Sequence, residues 1–365
     1  MILRLYRLNC ALLLAFLISG YADAKNPPHY TDHLNLLCYL DANGEPHPVS
    51  SIANWQIRRQ HILTHFQSVT GPRPHPKLPV ALDMRIESSD DLGTVVRHKI
   101  AFHSDSIESS VPGYLLIPKS ATATQPAPAM LCLHQTTGEG SREPAGLAGN
   151  SRLHYALQLA ERGYVTLAPD YPSFGEYAYD FDQDRSYASG TMKAIYDNIR
   201  AVELLQSLPE VDSKRIGCIG HSLGAHNAIF TAILEPRIRL VVSSCGFTQF
   251  HKDDVASWTG PNYMPRIATD YGNDAAHLPF EFSEIIACLA PRPFFVNAPT
   301  GDEDFDVTGV REALASAKPV YALFEKTAHL QAVFPKASHD FPKESSSAAY
   351  DFIDRHFAIV NDDQD

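Results

Sequence analysis

From Ala129 to Pro335 short apolar runs recur, each bounded by glycine, proline or polar residues: "AMLCLH", "GYVTLAPD", "RIGCIGH", "LVVSSCG", "PRPFFVNAP" and "LQAVFP". Runs of this length and continuity predict strands buried on both faces. Most alternate with helical stretches such as "HYALQLAERG" and "SGTMKAIYDNIRAVELLQSL". That alternation predicts βαβ units, hence a mostly parallel central sheet with helices on both faces. Upstream, "VALDMRIES", "TVVRHKIAFHS" and "VPGYLLIPK" alternate or run apolar between polar breaks, as antiparallel strands do. Further upstream, Ile52, Trp55, Ile62, Phe66 and Val69 fall three, seven, four and three residues apart, which keeps them on one face of an amphipathic helix. "GPRPHPKLP" stops that helix, and residues 25 to about 50, rich in Pro, His and Asn, read as an extended entry segment.

The first residues follow a different rule. Arg4 and Arg7 precede the apolar run "CALLLAFLISG", and "ADA" at Ala22 to Ala24 offers the small residues that a signal peptidase reads. The run is short for a bilayer span, so cleavage after Ala24, export, and no membrane attachment of the mature chain are expected. The expected organisation is a signal peptide over 1–24, an N-terminal extension with its helix over 25–80, and a main α/β domain over 81–358. Within that domain residues 247–284 form an insertion too long for a simple connection, expected to act as a cap.

With 365 residues, 44% of them hydrophobic, the chain can bury a large core. Cleavage would move the formal net charge from −12 to −13, and no basic run offsets it. An acidic surface repels phosphate backbones, so nucleic acid is excluded as an expected partner. Five cysteines follow the leader, enough for one disulfide in an oxidising compartment.

In open sheets of this kind ligands sit beyond the carboxyl ends of the strands. There, "IGCIGHSLGAHNAIF" places Ser222 between Gly220 and Gly224, where an apolar run gives way to a helical one. Two glycines let strand and helix approach closely while the serine takes a strained backbone conformation with its Oγ exposed. At a helix N-terminus, free N–H groups favour a developing negative charge, and the Leu223 amide is the expected oxyanion donor. The simpler alternative is a serine that merely caps the helix.

A serine nucleophile needs a base oriented by an acid, and in this topology both follow it in the chain. His339 in "FPKASHDFP" comes after the last predicted strand and is the expected base; His226, one turn past the serine, is expected to point away. "APTGDEDFD" supplies the acid, with Asp302 preferred by its distance from the strand and Asp304 as the alternative. An EF-hand reading of that loop fails, because Val307 stands where glycine is needed and Ala313 where the bidentate glutamate belongs. The second oxyanion donor is expected at Gln135 in "LCLHQTTGEG", with Thr136 next. Tyr177, Trp258, Tyr263 and Arg266 are candidate substrate contacts. His61 and His65 lack the glutamate of a zinc-protease helix, and "GCIGHSLG" lacks the dinucleotide-binding spacing, so neither metal nor cofactor is expected.

The stretches "LCLHQTTGEGSREPAGLAGN", "DYPSFGEYAYDF", "RIGCIGHSLGAHNAIF", "PNYMPRI" and "ASHDFP" resemble an exported bacterial branch of the α/β-hydrolase superfamily, near its dienelactone hydrolase-like and acetyl xylan esterase-like groups. The resemblance implies cleavage of a carboxylic ester, small-molecule or carbohydrate, by Ser222, Asp302 and His339 without a cofactor. The chain departs from dienelactone hydrolases proper in having serine where they use cysteine. Two rivals are a serine peptidase of related fold and a noncatalytic binding protein on a hydrolase scaffold.

Overall fold

In the computed structural model, which describes residues 27–73 and 80–358, every one of the six apolar runs contains a strand. The signal peptide expected over residues 1–24 lies outside the described residues. The N-terminal part holds β1 (Cys38–Leu40), β2 (Pro46–Pro48), α1 (Ile52–Thr70), β3 (Arg85–Asp91), β4 (Val95–His103) and β5 (Ser110–Pro118). Then come β6 (Ala127–Leu133), α2 (Tyr155–Glu161), β7 (Val165–Pro169), α3 (Gly190–Ser207), β8 (Val211–His221), α4 (Leu223–Leu234) and β9 (Ile238–Ser244). The chain continues through α5 (Arg266–Thr269), α6 (Phe282–Ala287), β10 (Phe294–Asn297), α7 (Val307–Leu323), β11 (Leu330–Val333) and α8 (Lys343–Phe357).

Nine strands form one sheet in the order β11-β10-β9-β8-β6-β7-β5-β4-β3. Pairing is parallel from β11 to β7 and antiparallel from β7 to β3. Period-two alternation divides the central strands between two cores. Leu131, Cys218 and Val241 face the core shared with α1, α3, α4, α6 and α7, whereas Cys132, Ile219 and Val242 face the core under α2 and α8. β3, exposed along its whole length and rich in Asp, Glu and Ser, is a solvated edge that discourages pairing with another chain. β1 and β2 form a separate antiparallel pair inside the segment read from sequence as extended. Among the described residues all five cysteines are free.

Helix α1 packs Trp55, Ile62, Phe66 and Val69 into the first core, while Ile52 at its start stays exposed. Its polar face is tied to α6 by ionic contacts. Arg58 and Glu284, both almost wholly buried, form an ion pair, and His33 Nδ1 lies 2.8 Å from the other carboxylate oxygen. The Tyr30 ring lies 3.2 Å from the Arg58 guanidinium, as in a cation–π contact. Truncating one member of a buried pair strands the other charge, which costs about 3–5 kcal/mol. Arg58→Met is therefore expected to lower the urea midpoint by an amount equivalent to about 3 kcal/mol or more, measured by equilibrium unfolding.

Candidate active site

Ser222 links β8 to α4 with φ 53° and ψ −122°, a left-handed conformation that non-glycine residues rarely adopt. The flanking glycines make the turn possible. A Cβ at Gly224 would run into the Leu133 carbonyl oxygen on β6, and one at Gly220 would meet the backbone of Gly224. The Ser222 N–H donates to the Ser244 carbonyl at 2.9 Å, which fastens the turn to β9. Its hydroxyl makes no capping hydrogen bond, so the plain helix-cap alternative does not describe this residue.

The loops after β10 and β11 bring Asp302 and His339 together. Thr300 and Gly301 donate backbone N–H groups to the carbonyls of Pro335 and Ala337, binding the two loops side by side. Across that seam His339 Nδ1 donates to Asp302, 2.9 Å from Oδ1 and 3.1 Å from Oδ2. Asp302 Oδ1 also accepts the amides of Asp304 and Phe305 at 3.0 and 3.2 Å, so the carboxylate cannot swing away. Asp304 Oδ2 stands 3.4 Å from the same nitrogen, but that side chain is largely exposed. Burial works against charge on His339, yet the bonded Asp302 carboxylate outweighs it and raises the imidazole above its ordinary value. The same pairing overcomes burial at Asp302 and lowers its carboxyl.

His339 packs against the residue that precedes Ser222: the rings of His339 and His221 lie 4.9 Å apart. His221 is buried, hydrogen-bonded through Nδ1 to Ser244 Oγ at 3.0 Å, and pushed down to about 3 by burial and then by the neighbouring imidazole. It is therefore a neutral ring at the back of His339. Asn297, at the end of β10, was given no part by the sequence pattern. Its amide donates to both Ser244 Oγ and the Asp340 carbonyl at 2.9 Å, anchoring the His339 loop to the strand ends.

A cavity of about 640 Å³ opens beside this group and is lined by Thr136, Ser222, Leu223, Trp258, Tyr263 and Asp302, among others. The segment between β9 and β10, folded as 3₁₀ turns with α5 and α6, supplies Lys252, Asp253, Asp254, Ser257, Trp258 and Tyr263 to its wall. Tyr263 Oη meets Thr136 Oγ1 at 3.2 Å, so this segment touches the loop after β6. In that loop His134 donates through Nδ1 to the Gln135 carbonyl and accepts the Tyr171 amide through Nε2, which fixes its backbone. The Gln135 side chain turns to Glu143 at 2.8 Å.

Three residues are placed differently from the sequence expectation. Tyr177 is buried and directs its hydroxyl to Asp197, beside the buried Lys193, and so does not line this cavity. Arg266 also lies outside the lining, because its guanidinium is occupied by the Ser68 carbonyl at the end of α1, 2.8 Å away. His226, expected to point away, does line the cavity, with its ring 4.7 Å from that of Trp258 and its basicity pushed down to about 3 by burial. Its position one helical turn after Ser222 was the available signal.

A strained serine turn at the carboxyl end of a parallel strand, in a sheet of this order, is that of an α/β-hydrolase. A solved glucuronoyl esterase from Solibacter usitatus superposes with a TM-score of 0.68 at 20% identity, covering 91% of this chain and 99% of its own, which establishes the shared fold. The chain belongs to the prolyl oligopeptidase family, whose family model matches residues 151–359, more than half of the sequence. YtaP of Bacillus subtilis is 27% identical over 58% of this chain and 72% of its own length. Carbohydrate esterase MZ0003, from an unknown prokaryotic organism, is 21% identical over 84% of this chain and 71% of its own.

Proposed function

We propose that the protein is an exported serine hydrolase that cleaves carbohydrate carboxylic esters through an acyl-enzyme. The observation that carries the reading is the Asp302–His339 pair lying against His221, next in the chain to a serine held at φ 53°. Ser222 Oγ attacks the ester carbonyl while His339 Nε2 takes its proton, and Asp302 holds the tautomer that leaves Nε2 free to do so. The amides of Leu223 and Gln135, which bond to nothing among the described residues, are assigned to the oxyanion. His339 then returns the proton to the leaving alcohol, and water releases the acid by the reverse route.

The sugar reading is supported by the lining and by relatives. Trp258 and Tyr263 offer aromatic surface, and Asp253, Asp254, Glu303 and Asp306 offer acceptors for hydroxyl groups. The same carboxylates repel an acid product once it forms. Two of the similar proteins are named a carbohydrate esterase and a glucuronoyl esterase. Export rests on the leader-like residues 1–24.

Family membership favours one alternative, a peptidase using the same serine. A panel of p-nitrophenyl esters, acetylated sugars, uronate methyl esters and proline-containing peptide amides decides between them. Turnover of sugar esters and not of the amides is the expected result; the reverse would establish the peptidase. No turnover and no fluorophosphonate labelling would leave a binding protein.

The pH dependence follows from the raised imidazole. A general base must be neutral, and the Asp302 carboxylate prolongs the protonated state of His339 to higher pH. The acid limb of kcat/KM is therefore expected to rise with pH through a midpoint above about 6.5, the ordinary histidine value, as measured on a p-nitrophenyl ester.

A further inference from the structure

We propose that Cys245, Asp302 and His339 form a site for one borderline-soft divalent cation, of the zinc or cadmium class, whose binding silences the hydrolase. The ligand atoms of these three residues all lie within 4.8 Å of one another. They come from three separate loops, so no short sequence spacing announces them.

Thiolate, imidazole and carboxylate are together the donor set that zinc-class cations take. At metal–ligand bonds of about 2.0–2.3 Å, tetrahedral donors stand roughly 3.2–3.8 Å apart. The imidazole and carboxylate are at 2.9 Å, so small side-chain shifts open the space. Asp304 Oδ2, 3.4 Å from Nδ1, is within reach of the fourth position.

The surroundings hold the donors in place. Cys245 has φ 50°, its N–H donates to the Asn297 carbonyl at 2.9 Å, and its Sγ lies 3.3 Å from the Asp340 carbonyl and 3.8 Å from the Asn297 amide nitrogen. Asn297 thus braces both the thiol and the His339 loop, as outer partners of metal ligands do. The carboxylates of Asp253, Asp254, Glu303 and Asp306 concentrate cations in the adjoining cavity.

Silencing follows from the tautomer, and this step rests on the hydrolase reading above. When a cation binds through Nδ1, the neutral ring's single proton relocates through solvent from Nδ1 to Nε2, and the thiol proton is released to solvent as the net proton lost. That nitrogen then has no lone pair to accept the serine proton.

The test uses the purified full chain with Zn²⁺ or Cd²⁺ and two kinds of readout. Equilibrium dialysis should find one cation per chain, and Cd²⁺ should produce thiolate charge-transfer absorbance. Ester turnover should fall with the same midpoint and recover on adding EDTA. Cys245→Ala should abolish the absorbance and raise the half-inhibiting concentration, relative to its own metal-free rate, by about tenfold or more. Cys245→Ser serves if the alanine variant does not fold, and Cys38→Ser should leave the absorbance and the uptake unchanged. No uptake by a folded, active chain would overturn the site and leave the hydrolase reading intact. Uptake and absorbance unchanged in the Cys245 variants would also overturn it. Cation uptake that depends on Cys245 in a chain with no hydrolytic activity would uphold the site and sink the hydrolase reading alone.

Discussion

Ser222→Ala is expected to remove ester turnover, by on the order of a millionfold in kcat, while leaving a folded chain. The size of the loss follows from the proposed division of labour, in which His339 and Asp302 act only through the hydroxyl and neither contributes without it. What survives is whatever binding and oxyanion stabilisation lend to attack by water. Folding should be spared because the Ser222 hydroxyl makes no hydrogen bond among the described residues, and the turn is fixed through its backbone N–H on Ser244. Alanine carries the same Cβ at φ 53°, so it adds no strain that serine lacks. The checks are a progress curve with a p-nitrophenyl ester, loss of fluorophosphonate labelling, and an unchanged urea midpoint. Retained turnover in the folded variant would remove Ser222 from the chemistry.

The strand framework was legible because each parallel strand is a short apolar run buried on both faces, a pattern that depends on neighbours in sequence. The hairpin of β1 and β2 escaped notice for the opposite reason. Pro46, His47 and Pro48 carry no strand preference, and only their pairing with Cys38–Leu40 makes them a strand. The site divides in the same way. Ser222, Asp302 and His339 could be nominated from sequence because each follows a strand, where the topology presents side chains to ligand. Tyr177 also follows a strand, but its fate was decided by Asp197, a partner on α3 that no local pattern reveals. Cys245 and Asn297 looked like the ends of two unrelated strands. Parallel pairing of β9 with β10 sets them side by side behind the acid, so their relevance exists only in the assembled sheet.

Asp302→Asn is expected to lower kcat by about ten-thousandfold, whereas Asp304→Asn should change it only a few-fold. The asymmetry comes from the hydrogen bonds already made. Asp302 Oδ1 is held by the Asp304 and Phe305 amides, so asparagine must keep its carbonyl oxygen there. Its amide nitrogen then replaces Oδ2, 3.1 Å from His339 Nδ1 in the native chain. That amide can only donate, which favours the tautomer with Nδ1 as acceptor and the ring proton on Nε2, where it blocks uptake of the serine proton; the retained oxygen, 2.9 Å from Nδ1, is neutral and no longer stabilises a protonated ring. The fold keeps its shape and the base is lost. Asp304, 3.4 Å away and 66% exposed, neither fixes the tautomer nor escapes solvent screening. A second reading separates tautomer from charge. Removing the Asp302 carboxylate should lower the midpoint of the acid limb of kcat/KM as well as its height, because the anion that raises His339 is gone. Large loss in Asp304→Asn with near-native rates in Asp302→Asn would transfer the role of the acid to Asp304, and the loop after β10 would then have to rearrange when substrate binds.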